Sequence, residues 1–269
     1  MPYRLVCLLA FAALAITSVN AGPVAISPAQ LGVQTVTGLT QSNAGICGVI
    51  PGCGGAFEAT VAGTANVTMW CVDSQLFDAP NYTANIVSLN TPAVTFNDGT
   101  QVRYGDVSSH VLPSPYWRYD ISGIAGVTNP DQALTRYRLA AVLITMYNPQ
   151  DAPTDGSNPN NDHIQRAIWE LTENTSISVG QPGTNGQPNL GPLESAWITT
   201  AAGMLGGFNF SGWAVASGAY DSVSHSLLAP PHGVQTYLVE VTPEPRFYGM
   251  LLVGLLSLCG MIYRNRAAS

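Results

Sequence analysis

The far end of the chain limits what the rest of it can be. Residues 247–263 form an uncharged, apolar run, entered through Arg246 and followed by Arg264 and Arg266. At roughly 17 residues the run reaches the lower length of a helix that spans a bilayer core. A helix satisfies its own backbone polar groups, which is the condition for sitting in lipid. Arginines after such a run favour the cytoplasmic side, so the preceding chain is expected outside the cytoplasm. The alternative is a buried C-terminal core helix, for which two flanking arginines are poor company.

The first residues agree with export. Arg4 supplies a basic start, residues 5–16 are apolar, and Val19-Asn20-Ala21 has the small-residue pattern of a signal peptidase site. The expected organisation is a signal peptide over 1–21, an exported ectodomain over 22–240 and a membrane tail over 241–269, with its helix at 247–263. An ectodomain of that length can bury a core of its own. Charged residues are only 9% and the net charge is -7, so polarity comes from Thr, Ser, Asn and Gln. A mildly acidic chain with no basic stripe argues against nucleic acid as a partner. There is no lysine; every positive side chain is arginine.

Pro243-Glu244-Pro245, then the apolar run, then Arg264 and Arg266 resembles the PEP-CTERM sorting tail of bacteria that make extracellular polysaccharide. The resemblance covers the last 27 or so residues and rests on the order of its three parts. It implies two partners during export, signal peptidase and exosortase, a membrane cysteine transpeptidase that processes such tails. It also implies a membrane-anchored intermediate at the inner membrane, then release to the cell surface or extracellular matrix. The short run, with Arg246 entering it, departs from the usual pattern.

Of the five cysteines, Cys7 falls in the signal peptide and Cys259 in the apolar run. Cys47 and Cys53 flank a turn built from Gly48, Pro51 and Gly52. In an oxidising compartment a small-loop disulfide is the natural reading, with two free thiols or part of a metal site as alternatives. Cys71 is left over, and an odd thiol in an exported chain calls for its own explanation.

Val, Thr and aromatic residues separated by turn residues predict strands over 33–37, 57–61, 67–72, 86–89 and 93–96. Asn97-Asp98-Gly99 has the composition of a hairpin turn. Asn129-Pro130-Asp131-Gln132 reads as a helix start, with Asn as cap and Pro at the first position, and that helix should run to Tyr147. A second helix is expected over 162–173, with Ile164, Ile168 and Leu171 as its apolar stripe. A third is expected over 193–204, and a clear strand over 234–241. The fold class is therefore α+β, with a β-rich first half, about three helices in the second half and one C-terminal transmembrane helix.

Two segments carry the sharpest chemistry. Ile164-Gln165-Arg166-Ala167-Ile168-Trp169 and Met69-Trp70-Cys71-Val72-Asp73 resemble the Thr-Gln-x-Ala-Ile/Val-Trp and aromatic-Cys motifs of thioester-domain adhesins. The resemblance implies that the Cys71 sulfur attacks the Gln165 carboxamide and expels ammonia. The internal thioester so formed would be open to surface amines. Ile164 stands where the family has Thr, and Trp70 where it more often has Tyr, Phe or Leu. Independently of any family, an acyl–sulfur bond needs protection from water, and Trp169 lies one turn beyond Gln165 on the same helix side. The lack of lysine removes one route to self-reaction. The plain alternative makes Cys71 a small buried apolar residue and Gln165 an ordinary helix residue. His163 lies two positions before Gln165, a spacing at which helical side chains do not face each other.

Other chemistry is thinner. Asp151, Asp155, Gly156 and Asp162 match calcium-loop offsets, but Pro153 takes a ligand position, so a solvated loop is the preferred reading and no metal is expected. There is no nucleophile elbow, zinc-protease motif or phosphate loop. Tyr116, Trp117, Tyr119, Trp197 and Trp213 could build a sugar-stacking surface, although aromatics more often serve the core. Asp73, Asp106, Asp120 and Glu170 offer no spacing that singles out a glycosidase pair. The expected protein is an exported, adhesive or structural surface protein, not an enzyme and with no cofactor. It would meet extracellular polysaccharide or an amine-bearing surface, with a secreted polysaccharide-binding module or polysaccharide-acting enzyme as the alternative.

Overall fold

β-Branched and aromatic residues suit a pleated, half-buried surface, and the segments rich in them form most of the strands. The computed structural model describes residues 24–47, 53–72, 81–96, 102, 119–147, 159–172, 192–218, 220–221, 226–227 and 236–241. Four strands come first: β1 (Gly32–Cys47), β2 (Cys53–Val61), β3 (Thr64–Cys71) and β4 (Asn81–Ser88). A single-turn helix α1 (Ala93–Phe96) precedes α2 (Ala133–Ile144), α3 (Pro159–Thr172) and α4 (Pro192–Met204). The chain then returns to strands with β5 (Trp213–Gly218), β6 (Tyr220–Asp221), β7 (Ser226–Leu227) and β8 (Tyr237–Glu240). The fold is α+β, with its strands concentrated early and three longer helices in the second half.

Six of the strands close into a barrel in the order β1-β2-β3-β8-β5-β4. The two late strands fill the gap between β3 and β4: Met69 lies opposite Val239, Val215 opposite Leu238 and Ile86 opposite Ala216. Closure leaves no unpaired sheet edge among these six strands. Every residue of β5 is buried, the pattern of a strand covered on both faces. Near the start, Val24 and Ile26 bridge to Val67 and Val241, so the first and last described segments lie together.

The helices form a layer in which α2 packs against both α3 and α4. Nearly all of α2 is buried, Arg136 included. The stripe of α3 behaves as its spacing predicts, with Ile164, Ile168 and Leu171 fully buried. Burying each such side chain stabilises the fold by about 1.5–3 kcal/mol. The loop before α2 fits closely on α4: Gly126 has a φ of 89°, and a Cβ there would meet the Ala202 carbonyl oxygen at 2.9 Å.

Several elements differ from expectation. The stretch 93–96 is one helical turn instead of a strand. The Phe96 N–H donates to the Pro92 carbonyl at 3.0 Å, and the Phe96 ring is fully buried 6.0 Å from that of Tyr137. Anchoring one aromatic side chain outweighs the weak strand preference of so short a segment. The first long helix starts at Ala133, later than the Asn129-Pro130 signal implies. Asn129 takes a φ of 56° in a turn closed by the Gln132 N–H on the Asn129 carbonyl at 3.1 Å, a conformation that Asn tolerates. The helix also ends at Ile144, and the next residues tighten into i→i+3 bonds, the last from the Tyr147 N–H to the Ile144 carbonyl at 3.1 Å. Finally, α3 and α4 each begin on a proline, Pro159 and Pro192, slightly ahead of the expected starts.

Among the described residues no helix is long and apolar enough to cross a membrane. The expected signal peptide over 1–21, Pro243, Glu244, Pro245, the run 247–263, Arg264 and Arg266 lie outside the described residues, as does the turn expected at Asn97–Gly99.

Candidate functional site

The last residue of β3 and the middle of α3 meet. Cys71 ends β3, paired across the barrel wall with Tyr237 of β8. It carries a thiol outside any disulfide and is fully buried. Gln165, 94 positions later, is 1% exposed, and its Nε2 donates to the Cys71 carbonyl oxygen at 3.1 Å. Two turns further along α3, Thr172 Oγ1 donates to the carbonyls of Val72 and Ile168. One face of α3 is thus laid along the end of β3 by side chains that satisfy consecutive strand carbonyls. Hydrogen bonds of this kind each contribute about 0.5–1.5 kcal/mol net.

The other end of the carboxamide is held as firmly. Gln165 Oε1 accepts from the Gly55 N–H at 2.8 Å and from the Tyr147 hydroxyl at 2.8 Å. A backbone N–H can only donate and a backbone carbonyl only accept, so these partners fix which end of the amide is oxygen. Tyr147 reaches the site because the tight turn after α2 ends there, and its ring lies 5.3 Å from that of Trp70. Gly55 reaches it through an irregularity in the barrel. Between the pairs Gln41↔Phe57 and Gly45↔Gly55, β1 advances by four residues and β2 by two. Gly55 has a φ of 82°, open to glycine and costly for other residues. Strand irregularities of this kind re-aim backbone groups.

The residues around the amide are apolar. Ile164, which departs from the threonine of the thioester motif, is fully buried, as are Ala167 and Ile168; Trp169 and Trp70 are 6% and 7% exposed. His163 does not share this environment: its Nδ1 lies 2.6 Å from Glu194 Oε1 on α4, an α3–α4 tie away from the carboxamide. A second buried polar centre sits under α2. Arg136 donates to the carbonyls of Pro130 at 2.9 Å, Tyr119 at 3.0 Å and Leu171 at 3.0 Å. Burial draws its pKa down to about 9, against the raising effect of Asp131 and Asp120, so it stays charged at neutral pH.

The other sequence-derived candidates divide. Cys47 and Cys53 are opposed residues, the pair of the β1–β2 ladder nearest the connection between the two strands. Opposed residues have Cα atoms about 4.5–5.5 Å apart, within the span of a disulfide. Asp151 and Asp155 lie outside the described residues, and Asp162 lies in α3. No cluster of three or more metal-ligating side chains occurs among the described residues. Of the aromatics, Trp213 is in the core, Tyr119 and Trp197 pack against it, and Tyr116 and Trp117 lie outside the described residues. Asp120 is exposed and its carboxyl is pulled below its ordinary value, chiefly by the Ser122 backbone N–H. Asp73 and Asp106 are outside the described residues.

Gly55 and Tyr147 are the site residues that sequence reasoning missed. The one available signal was a glycine inside a strand, which marks a bulge or a close backbone approach. No family model, characterised protein or solved structure matches this chain.

Proposed function

We propose that this is an exported bacterial surface or matrix protein, adhesive or structural, whose ectodomain closes an internal thioester between Cys71 and Gln165. The supporting observation is the seat of the carboxamide. Its nitrogen donates a hydrogen bond to the Cys71 backbone carbonyl oxygen, and thiol and amide are both shut away from water. Closure joins the Cys71 sulfur to the Gln165 carbonyl carbon; the thiol proton passes to Nε2, and the carbon–nitrogen bond breaks with loss of ammonia. Water exclusion gives the product its lifetime. A primary amine that reaches the carbonyl carbon then forms an amide, and Cys71 regains its proton. The chain has no lysine to compete for that carbon.

The sorting features frame this chemistry. The tail 241–269 would hold the chain at the inner membrane until exosortase acts on Pro243-Glu244-Pro245, and signal peptidase would act after Ala21. Export also brings Cys47 and Cys53 into an oxidising compartment, where their opposed positions favour a hairpin disulfide. The surfaces it would meet are extracellular polysaccharide or cell surfaces that bear amines.

Intact mass of the chain recovered from its host, before and after methylamine, tests the reading. The expected mass is lighter by one ammonia, methylamine then adds at Gln165, and Cys71→Ala abolishes both. A native mass with Gln165 intact and the Cys71 thiol open to alkylation on unfolding overturns it.

A further inference from the structure

We infer that Gly55 and Tyr147 form an oxyanion site for acyl transfer at Gln165, an inference that rests on the thioester reading above. Both reach the one atom that takes on charge in that chemistry. When the Cys71 sulfur adds to the Gln165 carbonyl carbon, the electron pair of the carbon–oxygen double bond moves onto Oε1. That oxygen already accepts from the Gly55 N–H and the Tyr147 O–H, each at 2.8 Å. Donors fixed before the reaction and kept from water act strongly on developing charge. As the tetrahedral centre collapses, the pair returns to the carbonyl and Nε2 leaves as ammonia with the thiol proton. Amine capture repeats the sequence at the same carbon: the amine adds, Oε1 again carries the charge, the carbon–sulfur bond breaks and Cys71 takes up a proton. One pair of donors thus serves both closure and capture.

The construction of the site favours this over a merely satisfied core glutamine. A buried glutamine needs one donor for its oxygen; here two converge from different parts of the fold, one from β2 and one from the turn after α2. Gly55 presents its N–H from a left-handed conformation within a strand, φ 82°, which other residues adopt at a cost. Tyr147 is braced by Trp70 at 5.3 Å between ring centroids, and Trp70 is the residue before the nucleophile. The side that carries the thiol and the side that carries the hydroxyl are therefore packed on each other.

Kinetics of methylamine uptake on the full-length chain test the pair. Tyr147→Phe keeps the ring and removes the hydroxyl, and capture should slow by about 10²-fold or more, the usual effect of losing one oxyanion donor. A fluorinated tyrosine at the same position, a stronger hydrogen-bond donor with the same packing, should speed capture. A purely structural tyrosine would not respond in that way. Capture by the phenylalanine variant at the wild-type rate overturns the inference. So does a fluorinated variant with an unchanged rate, which also decides the matter if the phenylalanine variant fails to fold. Wild-type chain that has lost no ammonia removes the thioester itself, a result distinct from either of these.

Discussion

Arg136 and Gln165 are both buried polar side chains that tie helices to the rest of the molecule, and they are built to opposite rules. Arg136 donates to carbonyls of the loop before α2 and of the end of α3. A guanidinium has donors and no acceptor, so it can gather backbone oxygens but takes no hydrogen bond in return. Gln165 uses both ends of its amide: the oxygen accepts from Gly55 and Tyr147, the nitrogen donates to Cys71. Its oxygen end therefore meets two donors, and its nitrogen end meets the backbone of a cysteine. Burial and hydrogen bonding are common to both centres. The difference is that Gln165 both accepts and donates, and that one of its partners is the backbone of a buried cysteine.

The largest effect expected from breaking this comparison is at Arg136. Arg136→Met keeps most of the apolar stem and removes the donor to three backbone carbonyls, so it should cost about 1–3 kcal/mol for each carbonyl left unpaired. Denaturant unfolding followed by circular dichroism measures it. A loss under about 1 kcal/mol would show that the carbonyls find other partners and that the centre is not structural. Gln165→Glu comes next. It leaves the oxygen that accepts from Gly55 and Tyr147 but replaces the donor to the Cys71 carbonyl. The folded state should then favour the protonated carboxyl, which can still donate, and raise its pKa above the unfolded value. The variant should therefore be most stable in acid, below the unfolded pKa, and lose stability as pH rises through the folded one. At neutral pH the loss should be about 1–3 kcal/mol, with no ammonia released at any pH. A pH-independent stability would mean that the amide nitrogen has no role in holding the helix.

How much of this was legible beforehand differs between the two centres. Gln165 and Cys71 stood out because each sits in a short, specific motif, and the α3 stripe of Ile164, Ile168 and Leu171 follows from helical spacing. The partners of Gln165 did not stand out. Gly55 sits in Cys53-Gly54-Gly55, where a glycine with positive φ in a strand cannot be told from one in a turn. Tyr147 is one of eleven tyrosines, chosen by a three-dimensional contact and by no local pattern. Barrel closure was hidden for a similar reason: β5 is buried on both faces, so it lacks the alternation by which a half-buried strand is recognised. The second half of β1, rich in Gly, Asn and Ser, reads as turn and is held as strand by its pairing with β2. Arg136 was invisible because its acceptors are backbone carbonyls, which every residue has.

Thr172→Val sharpens the comparison from the helix side. It removes the hydroxyl that donates to the Val72 carbonyl and keeps the side-chain shape. A cost of about 1 kcal/mol is expected, with ammonia still lost from Gln165, because Thr172 docks the helix and touches none of the reacting atoms. Retained stability together with failed thioester closure would make the hydroxyl a part of the reactive centre.

The smallest effect should come from Trp70→Phe, where two terms oppose each other. The indole is 7% exposed and meets the Tyr147 ring at a tilt of 53°, so trimming it sacrifices apolar contact. Its Nε1 is also buried with no hydrogen-bond partner among the described residues, and deleting an unpartnered donor recovers about 1–3 kcal/mol. Phenylalanine keeps an aromatic ring next to Tyr147 and is among the residues that thioester motifs more often carry before the cysteine. The net change in unfolding free energy should therefore be under about 1 kcal/mol, and methylamine capture should stay within about threefold of wild type, far from the loss expected when the hydroxyl itself is removed. Calorimetry and the capture time course read the two numbers separately. If capture falls as far for Trp70→Phe as for Tyr147→Phe, then the indole, and not the hydroxyl it braces, sets the rate, and the reactive centre extends one residue further along β3.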